Sequence, residues 1–550
     1  MKSSLLACLA LAGCGGAPAV PAVRFANAPA VAAVNDRLDV PTKPGEREFY
    51  VNVYHWDSIV QRRVDRGLDL QRHRRALGVN ALDEVPDSTW FTNRIGARDM
   101  TLDELTTGPL TVDSPELHKP WSIASAKPGG GSIGFIIKDS RGMKWLIKFD
   151  GKDYPEQETA THVIVDKILW ACGYNTTEDL IVHFRRGDLA LTAESTISDD
   201  WGDKHPLVRD ELDHRLDEIA TTPDGRIRAM ASRWVEGKTL GGHPAEGVRD
   251  DDRNDRIPHE LRRDLRGAYA IFAWLDHVDI QESNFLDTWI ADRGDPRIHY
   301  LKHYLIDFGK SFGVMASTGN DPRRGHAYVI DLGAMFTSLV TLGLVHRSWE
   351  GRSAPHIRGV GLFEAASFDP GSWVTDYPNY VPFLRSDRFD QFWATKILIR
   401  FSRAQLRALV ETGRLTDPRA VDYVTDTLVA RQRATAAYWF ARVNPLDRFA
   451  AYHDRLCFDD LAVDYDFASA TATHYAVTRY DRDGRALAAD DAPGAPDGRV
   501  CVPLSLPAAD DGYTIVKLTT IRPGFTGSTF AHVARDPASG APRVIGIWRE

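Results

Sequence analysis

The sequence predicts an α+β fold made of a strand-rich lobe, a helical lobe and a small all-β domain at the carboxyl end. Short alternating apolar segments dominate residues 118–237, helical periodicity dominates 238–449, and alternation returns over 450–550. With 43% hydrophobic and 26% charged residues among 550, the composition is that of a folded protein with more than one domain. The net charge of −9 argues against general nucleic-acid binding, which requires a basic surface.

The first residues predict a processed leader outside the fold. MKSSLLACLALAGC contains one lysine, a short apolar run and small residues that end at Cys14. LAGC (11–14) resembles the lipobox of bacterial lipoproteins, which implies that residues 1–14 are a signal peptide ending at an acylated Cys14 and that lipid anchors the chain in the cell envelope. An ordinary secretory signal cut near residue 18 is the alternative.

Two segments are expected between the leader and the strand-rich lobe. Residues 15–45 are rich in Ala, Pro and Val without periodicity, which predicts a tether. Residues 46–117 predict a helical segment that contains the aromatic, turn-rich stretch EVPDSTWFTNRIG (84–96). No later stretch is apolar and long enough to predict a transmembrane helix, so lipid would be the membrane attachment.

In the strand-rich lobe, strands are predicted at WSIASA, GFIIKD and KWLIKFD, and a helix from Pro155 to Gly173. Proline at the start and glycine after the end are common helix boundaries. Further strands are predicted at 180–184, 189–195 and 226–237. Helical periodicity covers 258–277, 388–413 and 422–443, and a hairpin is predicted at 285–306.

The cysteines and histidines carry separate expectations. If Cys14 is acylated and Cys172 lies in a helix, Cys457 and Cys501 remain as a disulfide for an oxidising compartment. The absence of CxxC and HExxH patterns argues against a structural zinc site or a zincin. His299 and His303 are expected at ordinary strand positions rather than in a shared metal site.

A glycine-rich stretch precedes the second predicted strand. KPGGGSIGF places Gly129, Gly131 and Gly134 in G-x-G-x-x-G spacing, which lets a hairpin close over a phosphate chain with backbone N–H groups toward the oxygens. A dinucleotide-binding fold or a hydrolase elbow around Ser132 would need a helix directly afterwards. Strand-like GFIIKD follows instead, so both interpretations are disfavoured; a plain tight turn is the alternative to a phosphate-binding hairpin.

Lys148 lies among apolar residues in the predicted strand KWLIKFD, where a lysine needs a partner. For this residue taken alone, a strand lysine that points to solvent is the more common case. A nucleotide phosphate and a carboxylate of the following helix would both serve. Glu158 lies nearer the apolar face of that helix than Glu156, which stands close to the helix start and could serve there as a cap or dipole residue. Glu158 is therefore preferred.

Two later stretches supply carboxylates and an amide. Residues 277–284 read H-x-D-x-x-x-x-N and place Asp279 and Asn284 five apart, which sets a base near an acceptor hydroxyl and an amide oxygen near a metal. Asp307 follows a predicted strand in Asp307-Phe308-Gly309 and could bridge a metal to nucleotide phosphates.

The order glycine-rich loop, Lys148, acidic helix, Asp279/Asn284, Asp307 resembles the protein-kinase signature set, over roughly residues 118–440. It is closer to atypical bacterial kinase-like proteins, and phrases such as DEVPDSTWFTNRIG and NPLDRF also resemble a group of bacterial lipoproteins. The resemblance implies ATP or another nucleotide with Mg²⁺, Lys148 on phosphate, Asp279 as base, and Asn284 with Asp307 as metal ligands. It also implies an adenine-binding hinge near Trp234 to Gly237, including Glu236.

The chain departs from the family in regulation and docking. Val278 stands where an arginine is usual, and no APE motif follows at the usual interval. The predicted function is phosphoryl transfer from nucleotide to a hydroxyl of an unknown protein or small molecule. A non-catalytic kinase-like scaffold and a nucleotidyl transferase (AMPylation) are the alternatives.

Overall fold

The computed structural model describes residues 20–47, 56–61, 64, 74–126, 133–198, 203–315, 319–347 and 349–550. The chain divides into two compact units. One contains the described residues of 1–30 together with Ala81–Asp83 and Asn444–Glu550, and the other contains those of 31–80 and 84–443. The predicted α+β class, with a strand-rich lobe, a helical lobe and a carboxyl-terminal all-β domain, is confirmed.

The strand-rich lobe is built on one eight-stranded sheet. Its strands are β1 (Trp121–Ala126), β2 (Gly134–Lys138), β3 (Lys144–Phe149), β4 (Asp179–Phe184), β5 (Leu189–Ala190), β6 (Thr196–Ser198), β7 (Lys204–Pro206) and β8 (Ile227–Arg233). The order is β4-β8-β3-β2-β1-β6-β7, and β5 pairs with β1. Inward-facing apolar side chains such as Trp121, Phe135 and Ile147 form its core, as the alternating sequence predicts.

Helix α1 (Leu102–Thr107) precedes this sheet, α2 (Gln157–Cys172) follows β3, and α3 (Arg209–Asp217) follows β7. Helix α2 is buried along nearly its whole length, so it joins the sheet to the helical lobe. It ends at Gly173, whose φ is +128°. A Cβ there would lie 2.3 Å from the Phe91 ring, so the predicted glycine boundary is also a packing requirement.

The helical lobe packs around a second apolar core that includes Ile168, Trp274, Trp393 and Leu428. Its helices are α4 (Arg263–Leu275), α5 (Leu332–Val340), α6 (Val381–Arg385), α7 (Arg388–Leu398), α8 (Arg403–Glu411) and α9 (Pro418–Phe440). The periodic stretch 388–413 is thus two helices. Ser402 begins the second by accepting a hydrogen bond from the Gln405 backbone N–H.

A three-stranded sheet has the order β11-β10-β9; β9 precedes α4 in the sequence, and β10 and β11 lie between α4 and α5. It comprises β9 (Lys238–Thr239), β10 (Phe285–Ala291) and β11 (His299–Leu305). Strands β10 and β11 form the predicted hairpin, with residues paired symmetrically about Asp295 from Phe285↔Leu305 to Ala291↔His299. Asn284 and Ile306 therefore stand at the open end of one hairpin.

The carboxyl-terminal unit contains two antiparallel sheets, ordered β12-β13-β16 and β15-β14-β17-β18-β19. The elements are β12 (Leu446–Tyr452), β13 (Arg455–Asp460), α10 (Leu461–Asp464), β14 (His474–Asp481), β15 (Ala486–Pro493), β16 (Arg499–Pro503), β17 (Thr514–Arg522), β18 (Phe525–Arg535) and β19 (Pro542–Arg549). Cys457 and Cys501 are direct cross-strand neighbours in β13 and β16 and form a disulfide. The predicted pairing is present in the structure.

One expectation for the amino-terminal part differs from the structure. Residues 20–45 do not form a free tether: Val20 is buried beside Tyr480 and Tyr513, and the Val40 N–H donates to the His299 carbonyl oxygen over 2.6 Å. Val20 and Val40 are buried, whereas Val31 and Val34 stay exposed, so the segment is held at some of its positions. Within the described residues of 46–117, Trp56 and Val64 are helical, Asp57–Gln61 forms a π-helix, and the turn-forming sequence around 84–96 bonds locally before α1. Helical structure over the whole segment stays a prediction.

The strand predicted at 189–195 is reduced to Leu189–Ala190. The Ser195 hydroxyl instead donates to the Ile123 carbonyl oxygen and closes a turn. Cys14 lies outside the described residues. Among the described residues, no helix combines the length and apolar character needed to cross a membrane.

Candidate functional site

Lys148 is the centre of the candidate site. It lies in the middle of β3, opposite Gly134 of β2 on one side and Met230 of β8 on the other. Its Nζ donates to Asp307 Oδ1 over 2.6 Å although the two residues are 159 apart in sequence. The ammonium is only 4% exposed, whereas the Asp307 side chain is 44% exposed. The pair therefore has a buried cation and a carboxylate that solvent can reach.

Charge on Lys148 is maintained by its neighbours. Burial opposes the ammonium, but the carboxylates of Asp307 and Glu158 outweigh it and raise the pKa of Lys148. Glu158 also packs against Gly309, where an added Cβ would lie 2.9 Å from its Cγ. The preferred acidic residue of α2 thus lies beside both Lys148 and the Asp307 segment.

Glu156 has a different place. Its carboxylate accepts from Arg358 Nε over 2.6 Å and from the Thr416 hydroxyl over 2.7 Å. These contacts tie the start of α2 to the helical lobe. Of the two glutamates, Glu158 lies beside Lys148, whereas Glu156 binds Arg358 and Thr416 of the helical lobe.

His162 lies one helical turn after Glu158 and completes the cluster. Its Nε2 is 3.2 Å from both Lys148 Nζ and Asp307 Oδ1, and its Nδ1 is 3.5 Å from Asp179 Oδ2. Burial and the Lys148 ammonium disfavour a charge on the ring, but hydrogen bonds with Asp179 and Asp307 outweigh them and raise the pKa of His162. The sequence analysis missed this residue, although its i+4 spacing from Glu158 was a usable signal.

The Asp307-Phe308-Gly309 segment has an unusual backbone. Asp307 has a φ of +65°, a conformation that Asp and Asn tolerate better than most residues. Phe308 is fully buried, with its ring 6.1 Å from the His162 ring and 6.0 Å from that of His277. Anchoring Phe308 leaves the Asp307 carboxylate directed toward Lys148.

Asp279 and Asn284 form the second half of the site. Asn284 Nδ2 donates to the Asp279 carbonyl oxygen over 2.6 Å, which holds the loop closed. The Asp279 carboxylate pairs with Lys310 Nζ at 2.8 Å, and the Ile306 N–H donates to the Asn284 carbonyl oxygen. The loop and the Asp307 segment are therefore joined at two points.

His277 also connects the loop that contains Asp279 with the segment that contains Asp307. Ser311 Oγ lies 2.9 Å from both His277 Nδ1 and the Phe308 carbonyl oxygen. Burial lowers the pKa of His277 to about 4, so the ring is neutral at physiological pH. Neither His277 nor Lys310 was singled out from the sequence, although Lys310 directly follows the D-F-G letters.

The glycine-rich stretch is described only in part. Gly129 and Gly131 lie outside the described residues, whereas Gly134 begins β2 opposite Lys148. The flanking strands β1 and β2 pair antiparallel, as the predicted hairpin requires. A cavity of about 450 Å³ lies beside Ile133, Asp150 and Glu158, next to the end of this stretch.

The expected hinge follows β8. The Trp234 N–H donates to the Lys144 carbonyl oxygen over 3.0 Å, and the Trp234 side chain is 39% exposed. Trp234 and Glu236 line a cavity of about 290 Å³ together with Lys302 and Tyr304. Lys148 and Asp307 are not among the described residues that line this cavity, so a role in binding a base stays a prediction.

The residues around Lys148 fit a nucleotide with a divalent cation. The donors available to a cation are carboxylate oxygens and the Asn284 amide oxygen, the hard ligands that Mg²⁺ prefers. The exposed Asp307 carboxylate is accessible to such an ion. Lys148 would remain as the phosphate contact once Asp307 turned to the cation.

No protein-family model matches this sequence, and no curated protein matches it. Two solved structures of the Golgi casein kinase are similar to it. The one with Mn/ADP bound has 11% identity and a TM-score of 0.27, and the match covers 62% of this chain and 73% of that chain. The other has 10% identity and a TM-score of 0.29, covering 64% and 82%. At such TM-scores the likeness carries no argument, so function must rest on the side chains described above.

Proposed function

We propose that the chain is a kinase-like phosphotransferase that uses ATP, or another nucleotide, with Mg²⁺. The observation that carries the proposal is the 2.6 Å contact between Lys148 and Asp307, which joins two motifs 159 residues apart in the sequence. Glu158 and His162 support this pair from α2. A buried ammonium beside an exposed carboxylate is a suitable receptor for a phosphate chain and its cation.

Each residue has a defined task in the proposed reaction. Lys148 binds the nucleotide phosphates, and Asn284 with Asp307 would hold the magnesium ion. When bound, the ion neutralises phosphate charge. Asp279 orients the acceptor hydroxyl and takes its proton as the hydroxyl oxygen bonds to the γ-phosphorus. The bond from the γ-phosphorus to the bridging oxygen breaks, and the nucleoside diphosphate leaves.

Lys310 would act beside the base. Its ammonium pairs with Asp279 at 2.8 Å, so it can also interact with a phosphoryl oxygen that arrives there. Phosphoryl transfer depends mainly on positioning and charge neutralisation, and a strong base is not required. A base held by an ammonium therefore suits this reaction.

The test is Mg²⁺-dependent ATP hydrolysis and autophosphorylation by the full chain. Asp307→Asn keeps a side chain that tolerates positive φ, yet it removes the charge that would bind the cation. We expect a loss of rate of about 10²-fold or more. Asp99→Asn, a surface change far from the motifs in sequence, is the matched control.

Wild-type rates in Asp307→Asn would overturn the proposal. Intact-mass spectrometry distinguishes the alternatives, because phosphoryl transfer adds a phosphate and nucleotidyl transfer adds an AMP. Thermal stabilisation by Mg²⁺ and ATP without turnover would instead indicate a nucleotide-binding scaffold.

We also propose attachment to the cell envelope through acylated Cys14, on the strength of the LAGC sequence. Labelling with a radioactive fatty acid in a bacterial host tests this. Cys14→Ala should abolish the label and Cys8→Ala should not, because only Cys14 occupies the lipobox position. Equal labelling of both variants would contradict the attachment.

A further inference from the structure

A second polar cluster lies on the sheet formed by β9, β10 and β11. It consists of His243, Asp287 and His303, which are 1%, 0% and 4% exposed. One ligand atom from each residue lies within 4.8 Å of those of the others. This cluster is distinct from the Lys148 site and has no part in the proposed phosphoryl transfer.

His303 and Asp287 meet across the hairpin. They are direct partners in the β10–β11 register, and His303 Nδ1 is 2.7 Å from Asp287 Oδ1. The other carboxylate oxygen, Oδ2, lies 3.2 Å from an Arg249 guanidinium nitrogen. Asp287 thus presents Oδ1 to the cluster, while its Oδ2 is held by the Arg249 guanidinium.

His243 is the residue that points to a ligand. Its Nδ1 is 3.6 Å from Asp287 Oδ1, beyond hydrogen-bond distance, and neither ring nitrogen has a hydrogen-bond partner among the described residues. Burying a polar group without a hydrogen-bond partner destabilises the fold unless a ligand satisfies that group. A buried imidazole that faces a carboxylate and a second imidazole has the surroundings typical of a metal ligand.

The neighbouring histidine is already engaged. His259 Nε2 is 2.8 Å from Asp255 Oδ2, and its Nδ1 is 2.6 Å from the Pro244 carbonyl oxygen. Trp90 covers the cluster, stacked on His303 with ring centroids 3.5 Å apart and edge-on to His243 at 4.8 Å. The aromatic rings of Trp90 therefore cover this side of the cluster.

We propose that His243, Asp287 and His303 bind a divalent transition-metal ion of the zinc class. Two imidazoles and one carboxylate suit Zn²⁺, whereas Mg²⁺ and Ca²⁺ prefer oxygen ligands. Tetrahedral bonds of about 2.1 Å separate ligand atoms by about 3.4 Å, so small side-chain rotations suffice. The ion would tie the segment after β9 to the hairpin that ends at Asn284 and Asp307.

The backbone already brings these elements together. The Leu240 N–H donates to the Asp287 carbonyl oxygen over 2.9 Å, and the Asp287 N–H donates to the Gly241 carbonyl oxygen over 2.8 Å. His243 follows two residues later. The ion therefore needs no rearrangement of the sheet and would cross-link β10, β11 and the segment after β9.

The test measures metal in the full chain, purified without a histidine tag. We expect stoichiometric zinc by elemental mass spectrometry, and a tetrahedral Co²⁺ absorption spectrum after exchange. Chelation should lower the melting temperature and Zn²⁺ should restore it. His243→Gln should weaken Co²⁺ binding by more than about tenfold.

His299→Gln is the matched control, because His299 lies on β11 with His303 but stacks on Trp289 and is not part of the cluster. It should retain the metal. Failure of the chelated wild-type chain to bind Zn²⁺ or Co²⁺ would overturn the proposal, as would unchanged binding in a folded His243→Gln. Magnesium-dependent turnover is measured separately in Asp307→Asn, so failure of either proposal can be told from failure of the other.

Discussion

At the scale of single residues, Lys148 and Asp307 differ in how much solvent reaches them. Removing the ammonium leaves a carboxylate that water can still solvate, because Asp307 is 44% exposed. Removing the carboxylate instead leaves a buried cation, which is the more costly change for the fold. Lys148 is therefore the better position at which to separate activity from stability.

We expect Lys148→Met to lower kcat/KM for ATP by about 10²–10³-fold, since a charged contact to the phosphates is lost. The far-ultraviolet circular dichroism should match that of the wild-type protein. Steady-state kinetics check the rate. Lys138→Met, on the neighbouring strand and paired with Glu194 at the surface, is the control that should stay active. An active Lys148→Met would remove Lys148 from the site.

The raised pKa of His162 predicts a pH dependence of stability. Its ordinary value is 6.5, and Asp179 and Asp307 raise it against burial and Lys148. The stability that protonated His162 contributes is fully present below pH 6.5 and is lost as the pH rises through the raised pKa. Calorimetry should show this loss in the wild-type protein and a smaller one in His162→Gln.

His214→Gln is the control for that measurement, because His214 is largely exposed on α3. It should follow the wild-type pH dependence. Identical curves for wild-type and His162→Gln would show that the contacts of His162 do not bias its protonation.

At the scale of elements, the sequence predicted the helices and hairpins whose ends depend on neighbouring residues. Pro155 and Gly173 bracket a helix that runs from Gln157 to Cys172, and the hairpin lies within 285–306 as predicted. The packing of residues 20–45 and helix α5 were not predicted. Side-chain contacts between distant segments depend on tertiary packing, which periodicity does not encode.

The candidate site divides in the same way. The contact of Lys148 with Asp307 followed from motif order, whereas His162, Lys310 and the buried cluster did not. The cluster was partly accessible, since a hairpin centred on Asp295 places Asp287 opposite His303. The approach of His243 to these two residues could not be predicted from the sequence, because it depends on how the segment after β9 contacts β10.

Gly173→Ala tests the junction that ends α2. The positive φ strains any side chain, and the Cβ would overlap the Phe91 ring. We expect a loss of about 2–4 kcal/mol in the free energy of unfolding, combining strain and overpacking. Denaturant titration measures it.

Gly142→Ala is the matched control for this change. Gly142 has a φ of +82°, and a Cβ there meets nothing within 4 Å. It should cost only the strain, about 1 kcal/mol. Equal losses at the two positions would contradict the packing explanation.

At the scale of the whole molecule, each of the two units has its own apolar core. The disulfide belongs to the carboxyl-terminal unit, and the Lys148 site belongs to the other. We therefore expect two thermal transitions, and nucleotide should raise the transition of the unit that contains Lys148.

Replacing Cys457 and Cys501 by serine should lower the stability of the carboxyl-terminal unit by about 2–4 kcal/mol, because the bond closes a loop of 44 residues. Differential scanning calorimetry should show one transition shifted. A reducing agent should reproduce the shift in the wild-type protein and add nothing to the double variant. An unchanged melting temperature of the wild-type protein in the reducing agent would contradict this assignment.

The β10–β11 hairpin has a consequence for finding related proteins. Its pairing fixes where Asn284 and Asp307 stand relative to each other, while its tip at 292–298 is largely exposed. Natural insertions at the tip, or strands lengthened equally on both sides, would leave the open end unchanged. A search pattern with a rigid interval between the two motifs would discard such homologues, so that interval should be left variable.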